Sequence, residues 1–387
     1  GSLYVSAENA MFNNTFGGVQ IVEVVVIGHA DETDEAQGEP TVKVYEKQLR
    51  MAQAIDGNWY GYFGDDTKIS AISTTSQPIG INFGDDYAPS SFPGGVVEGD
   101  FLEATSVFAP NADSNNDVTI LNAPALSNYN NTDATNNAVN GGEFKGIGQI
   151  GVNEETWPFI QTYDLSIETF DVVYEQAGAD EVVTLNYNSA DLDDYASLEL
   201  DRNSASQDSD IHLTITDNQL NIDPTGKDVV IFYVGLSGSE GVTFQNRTVA
   251  SPSVTAYAAF DNTFDDNGKL IINNQTQGST NILNMVTTAD DATADNLIVF
   301  YETAENSGVF VNADDSDNSN IEVKNGAKRG FTATFDYNDS AQSFVVANDF
   351  GVINMDETSV GDVWNSGEAL TVTLIDQDLN KNTFSDE

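Results

Sequence analysis

Ten stretches of the chain alternate apolar and polar residues: VEVVV (Val22 to Val26), TVKVY (Thr41 to Tyr45), NWYGYF (Asn58 to Phe63), EVVTLNY (Glu181 to Tyr187), SLELD (Ser197 to Asp201), HLTIT (His212 to Thr216), KLII (Lys269 to Ile272), NLIVFYE (Asn296 to Glu302), GFTATFDY (Gly330 to Tyr337) and ALTVTLI (Ala369 to Ile375). Period two in Val, Ile, Thr, Tyr and Phe, bounded by Asn, Asp and Gly, is the pattern of half-buried strands. No segment of ten or more residues keeps a helical period. The pattern predicts an all-β chain of tandem antiparallel immunoglobulin-like β-sandwich domains. Between about Thr74 and Gly142 the rhythm breaks into Ser, Asn, Asp, Gly and Pro, which predicts a large loop insertion in the first domain.

The strand and loop TITDNQLNIDPTGKD (Thr214 to Asp228) align without a gap on TLIDQDLNKNTFSDE (Thr373 to Glu387), an offset of 376 − 217 = 159. TLNYN (Thr184 to Asn188) also matches TFDYN (Thr334 to Asn338), in the same order, at 337 − 187 = 150. Two related domains, 3–228 and 229–387, each closing on a strand and an oxygen-rich loop, are the simplest reading.

Those loops set the candidate chemistry. Asp376, Asp378, Asn380, Asn382 and Glu387 occupy positions 1, 3, 5, 7 and 12 of an alternating oxygen pattern. A hard cation such as Ca²⁺ needs six to eight oxygens at roughly 2.3 to 2.6 Å, which such a loop can bring together. The likeness to an EF-hand stops there, because Lys381 stands where the sharp turn needs Gly and the flanks are strands. In the first copy Asp217, Asn221, Asp223 and Asp228 fall on matching positions, Gln219 stands at position 3, and Asp208 and Asp210 lie just upstream. Asp315 and Asp317, in the DDSDN run, and the DSNND run Asp113 to Asp117 repeat the alternation more weakly. The competing reading of all these loops is an Asx-rich turn that holds no ion.

Charge sharpens the picture. Thirteen Lys and Arg stand against 62 Asp and Glu, a formal charge of −49, while 40% hydrophobic residues suffice for real cores. Nucleic acid and anionic lipid are excluded as partners, since phosphate binding needs clustered Lys and Arg. The natural partners are cations. No cysteine is present, which removes disulfides and thiolate metal sites. The longest apolar run, Ile21 to Gly28, is too short to span a bilayer and contains Glu23, so no membrane insertion is expected. The opening Gly1-Ser2 reads as the remnant of a removed tag, and the chain as an excised segment.

Catalytic constellations are not evident. The two histidines are His29 and His212, HExxH does not occur, and GIGQIG (Gly146 to Gly151) is followed by VNEETWP where a phosphate-binding helix should start. The sequence therefore reads as a non-enzyme, with a secreted hydrolase hiding two carboxylates in a cleft as the weakest option. Asn-X-Ser/Thr sequons stand at Asn13, Asn130, Asn246, Asn274 and Asn338. They matter only for an exported glycoprotein.

Longer words of the sequence carry a family resemblance. AENAMFNNTFGG, VEVVVIG, EPTVKVYEKQLRMAQAIDGNWYGYF, WPFIQTY, LELDR, HLTITDNQLNIDPT, YETAENSGVF and GDVWNSGEALTVTLIDQDLNKN together resemble the surface-layer (S-layer) proteins of ammonia-oxidising archaea, from about Ala7 to the end. The resemblance implies a secreted cell-surface protein of tandem β-sandwich domains that self-associates into a two-dimensional lattice with bound Ca²⁺. An acidic coat around such a cell would also attract ammonium. The rival expectation is a Ca²⁺-dependent adhesin or glycan-binding module, with Tyr87, Phe92 and Tyr129 as its aromatic platform.

Overall fold

The computed structural model describes residues 1–29, 38–54, 56–73, 81, 83–88, 104–109, 159–166, 169–234, 241–243, 264, 267–278, 280–285, 297–313, 315–356 and 363–386. Strand accounts for 43% and helix for 9%, so the all-β class holds. Each of the ten alternating stretches contains a strand, and Glu181–Tyr187 coincides with its predicted span.

Two sheets build the N-terminal unit. Strands Ser2–Val5, Val22–Ile27, Trp59–Asp65, Ile160–Tyr163, Ser106–Ala109 and Asp85–Tyr87 lie side by side in that order, with Ala52–Gln53 added beside Trp59–Asp65. Facing them are Thr15–Phe16, Glu181–Tyr187, Thr169–Tyr174, Val42–Val44 and Lys47–Gln48. One core cluster joins the two sheets through Val22, Val24, Val26, Trp59 and Phe63 on one side and Val42, Val44, Phe170, Val172, Val183 and Leu185 on the other. Phe63 meets Phe16 and Phe170 edge-on at ring distances of 6.4 and 6.2 Å. The strand Trp59–Asp65 is covered on both faces, because Tyr62 points into the second core cluster. Neighbours crowd it so closely that a Cβ on Gly61 would stand 2.9 Å from Leu49 and one on Gly64 2.7 Å from Ile69.

A second pair of sheets follows. Strands Ser197–Leu200, Leu213–Thr216, Val309–Val311, Leu297–Glu302, Val229–Tyr233 and Gly241–Thr243 form one sheet, and Ser204–Ala205, Gln342–Val346, Thr332–Tyr337 and Leu270–Asn274 the other. Both units share a connection that sequence did not suggest. In each, the opening strand pairs antiparallel with a strand reached through two residues that cross to the opposite sheet and lie parallel to its last strand: Thr15–Phe16 beside Asn186 and Tyr187, Ser204–Ala205 beside Val345 and Val346. A further parallel pair, Gln161↔Phe63, departs from the all-antiparallel expectation.

Pairing also moves the expected boundary. Leu213–Thr216 is bonded to Val309–Val311, so residues 197–228 go with the second pair of sheets, and the division falls between Tyr187 and Ser197 in place of 228/229. The repeated strand and loop thus open a unit. The expected insertion at 74–142 supplies two strands to the first sheet, Asp85–Tyr87 and Ser106–Ala109, and most of its remainder lies outside the described residues. TLNYN and TFDYN fall on non-equivalent strands, the last of its sheet in one unit and the last but one in the other, so that match is not a structural repeat.

After Val346 comes a third, smaller element. Val352–Met355 and Val372–Ile375 form a two-stranded hairpin that leads into the second copy of the loop.

Candidate functional site: two copies of a capped turn

The two loops fold alike. Asp217 and Asp376 are extended (φ −156°, ψ 110° and φ −146°, ψ 108°) and cap one turn of 3₁₀ helix, Asn218–Leu220 and Gln377–Leu379. Each Asp accepts from the amide two residues on, Gln219 N at 2.9 Å and Asp378 N at 3.0 Å. Asx residues favour this geometry because the side chain satisfies an amide that the short turn leaves unpaired. The turns close at Asn221 and Asn380 with nearly the same dihedral angles, φ −83°, ψ 85° and φ −78°, ψ 92°.

Each loop then grips the unit before it. In the first, the Ile222 carbonyl accepts from Ile21 N at 3.0 Å, Asn218 Nδ2 donates to the Thr15 carbonyl at 3.0 Å, and Gln219 Nε2 donates to the Ser189 carbonyl at 3.1 Å. Leu220 and Ile222 join the same buried cluster as Val19 and Ile21, so apolar surface is shared across the boundary. In the second, the Lys381 carbonyl accepts from Asp210 N at 2.8 Å and from Arg202 Nη2 at 2.7 Å, and Arg202 Nη1 donates to the Asn380 carbonyl at 2.6 Å. Lys381 Nζ reaches Ser206 Oγ and the Gln207 carbonyl, Asn382 Nδ2 the Asp317 carbonyl, and Thr383 Oγ1 the Asp201 carboxylate at 2.6 Å. The ring of Phe384 stacks on His212 at 3.8 Å. His212, buried, also bonds Asp201 and the Asp317 carbonyl, a structural role.

Several of the expected ion ligands form hydrogen bonds within the protein. Asp217 divides its oxygens between the Gln219 amide and the Tyr337 hydroxyl. Asp228 accepts from Ile222 N and Asp223 N, Asp223 from Thr225, Asp210 from Ser319 N at 3.1 Å, and Asp208 from Asn325 at 2.8 Å. Asp378 accepts from Asn348 Nδ2 and Asp349 N, and Asn382 Oδ1 from Phe384 N. Asn221 donates to Asn306 at 2.7 Å, and Asn380 accepts from Arg202 through its carbonyl and donates its main-chain amide to the Gln377 carbonyl. Asp315 and Asp317 are exposed, Asp317 at φ 59°, while Glu387, Asp314 and the run Asp113 to Asp117 lie outside the described residues. Among the described residues no group of three or more carboxylates or histidines is placed to hold a metal ion. In the first loop and in the described part of the second, the capping carboxylates Asp217 and Asp376 serve the turn by accepting amide hydrogen bonds.

Burial makes the first copy electrostatically costly. It pushes Asp217 up to about 7, with Tyr337 and the Gln219 amide pulling the other way and Asp193 adding to the rise. Asp228 is raised well above the ordinary carboxylate range by burial and then by Glu302 and Asp223, and burial likewise raises Glu302. Asp201, at the second copy, goes the other way: burial raises it, but bonds from His212 and Thr383 outweigh that and lower it.

Sequence reasoning missed Arg202 and Lys381. In a chain with 13 basic residues, two that seat one loop carry a signal in their rarity. Of the sequons, Asn274 and Asn338 already spend their side-chain amides on the Leu283 and Asp193 carbonyls, Asn13 is exposed at φ 51°, and Asn130 and Asn246 lie outside the described residues. Of the proposed aromatic platform, Phe92 and Tyr129 lie outside them too, and Tyr87 ends a strand. Compared with known proteins, the chain matches no family model and no curated protein.

Proposed function

We propose that this chain is a non-catalytic structural protein of an extracellular surface lattice, built from tandem immunoglobulin-like β-sandwich domains. The observation that carries the reading is the repeated joint: one loop design, used twice, fixes each unit to the one before it through main-chain bonds, a device suited to a stiff serial scaffold. The resemblance to surface-layer proteins of ammonia-oxidising archaea supports the word lattice, and the charge of −49 supports a cation-rich setting. At that charge density self-repulsion opposes packing of copies unless counterions intervene. Ca²⁺ acts here as a neutralising ion between carboxylate surfaces. Ammonium gains too: a potential of about 2 kT in a narrow pore enriches any monovalent cation about seven-fold, within a screening length of about 8 Å. Imaging the protein at its full natural length with Ca²⁺ and with EGTA tests the reading. Ordered sheets that need the ion are expected; dispersed particles in both conditions contradict it.

A further inference from the structure

Two stretches of the second unit carry no acid. Neither Asp nor Glu falls between Asn267 and Ala289 or between Val323 and Phe335, 36 residues that would hold about six at the chain's mean of 62 in 387. Lys269, Lys324, Lys328 and Arg329 stand there, and no other run of six residues holds three cations as 324–329 does. The fold brings the two stretches together. Leu270–Asn274 pairs with Thr332–Tyr337, with Asn273 opposite Thr334, and Leu283–Met285 pairs with Ile321–Val323. Alternation turns Ile272, Ala333, Phe335 and Phe344 into the core and leaves Asn273, Thr332, Thr334 and Ser343 on the outer face. A groove of about 320 Å³ lies on that face, lined by Asn273, Asn274, Gln275, Thr332, Ala333 and Thr334. Its polar side chains are amides and hydroxyls alone.

Hydrogen bonds fix the groove and its basic end. Gln275 Oε1 accepts from Thr332 N at 2.6 Å, and Asn274 Oδ1 accepts from Ile282 N and Leu283 N, both at 3.1 Å. In the turn that leads into Thr332, Ala327 N donates to the Lys324 carbonyl at 3.0 Å and Phe331 N to the Lys328 carbonyl at 3.3 Å. Gln207 clamps the same turn, donating to the Ala327 carbonyl at 2.8 Å and accepting from Gly326 N at 3.0 Å. Lys328 and Arg329 are exposed. Asp208 and Glu322, beside the turn, are engaged by Asn325 Nδ2 at 2.8 Å and Asn284 Nδ2 at 2.6 Å, and Asp336 stands farther along the strand, opposite Ile271.

We propose that this face binds an anionic polysaccharide, its sugar hydroxyls meeting Asn273, Gln275, Thr332 and Thr334 and its carboxylates meeting Lys324, Lys328 and Arg329. Amide and hydroxyl side chains donate and accept as sugar hydroxyls do, and Lys and Arg add the stronger charge-assisted bonds to carboxylate. The fixed turn lowers the ordering cost of binding. A protein partner needs an aromatic or aliphatic anchor at the centre of its footprint, which Asn, Gln and Thr do not offer. Three cations also fall short of the about six to ten phosphate contacts of a duplex-binding protein. The charge of −49 does not forbid such a ligand, because charges beyond about 8 Å are screened at physiological ionic strength. The site stands apart from the lattice reading and holds whether or not copies assemble.

Calorimetric titration with a hexamer of a uronic acid, at physiological ionic strength and with EGTA present so that no divalent ion bridges carboxylates, tests the proposal. The 387-residue chain should bind it, and should bind a neutral glucose hexamer and hexaglutamate at least about 10-fold more weakly. Lys324→Gln, Lys328→Gln and Arg329→Gln together should weaken the uronate at least about 10-fold, and Asn273→Ala with Thr334→Ala about as much, each with a melting temperature close to the parent's. The proposal fails if the parent chain does not bind the uronate or if either set of substitutions leaves its affinity unchanged. It fails also if hexaglutamate binds as tightly, which would make an acidic protein surface, a second copy included, the occupant.

Discussion

Asp217 and Asp376 cap the same turn in the same geometry, yet Asp217 is buried between two complete units while Asp376 is half-buried at the foot of an open hairpin. The local fold is thus independent of what surrounds it. Burial is added by the unit that follows, and with it come the energetic stakes: the Tyr337 bond, the raised carboxyl, and the apolar cluster around Leu220 and Ile222. One sequence motif is a stability determinant in its first copy and a surface feature in its second.

The widest gap between the copies should appear in their apolar residues. Ile215→Ala should cost about 2–5 kcal/mol, the range for emptying a core position, and Leu374→Ala under about 0.5 kcal/mol, both read by urea denaturation. Comparable losses would break the distinction. Asp217→Ala strands the Tyr337 hydroxyl and the Gln219 amide and should cost about 2–3 kcal/mol, whereas Asp376→Ala should leave the main transition in place and only fray the terminal loop.

Acidity separates them next. Asp217 and Glu39 sit at about 7, and Asp228 and Glu302 are also raised, all chiefly by burial. A carboxyl raised in the folded state binds its proton more tightly there than in the unfolded chain. Its contribution is therefore full below the ordinary carboxylate range and is lost as pH rises through about 7. Melting temperature should climb as pH falls from 8 to about 5.5. Asp217→Asn keeps the cap, removes the charge, and should flatten that slope, while Asp376→Asn should not. The smallest effect is expected from Arg202→Ala, which leaves the Asn380 carbonyl without its donor and the Lys381 carbonyl with the Asp210 amide alone: faster exchange at the Asp210 amide, with a change in global stability of about 1 kcal/mol or less.

Strands were legible because alternation survives wherever one face is wet, as in Glu181–Tyr187, where Val183 and Leu185 turn inward and Val182 outward. Ile160–Tyr163, buried along its whole length, shows no alternation, and two-residue crossings such as Thr15–Phe16 are too short for a period. The repeat located both loops but not their place, since a strand and a loop look the same at the start of a unit as at its end. Alternating oxygens also fit a cage and a capped turn equally well. The cap itself is visible only in the fold, through Gln219 N, Asp378 N and the Tyr337 hydroxyl, whose approach depends on the folded backbone.

Calorimetric titration with Ca²⁺ addresses most directly the claim that the repeated loop joins β units and is not an ion cage. The parent chain, Asp217→Asn, and Asp376→Ala combined with Asp378→Ala should bind the same number of Ca²⁺ ions with the same affinity. Loss of one ion in either variant would contradict it.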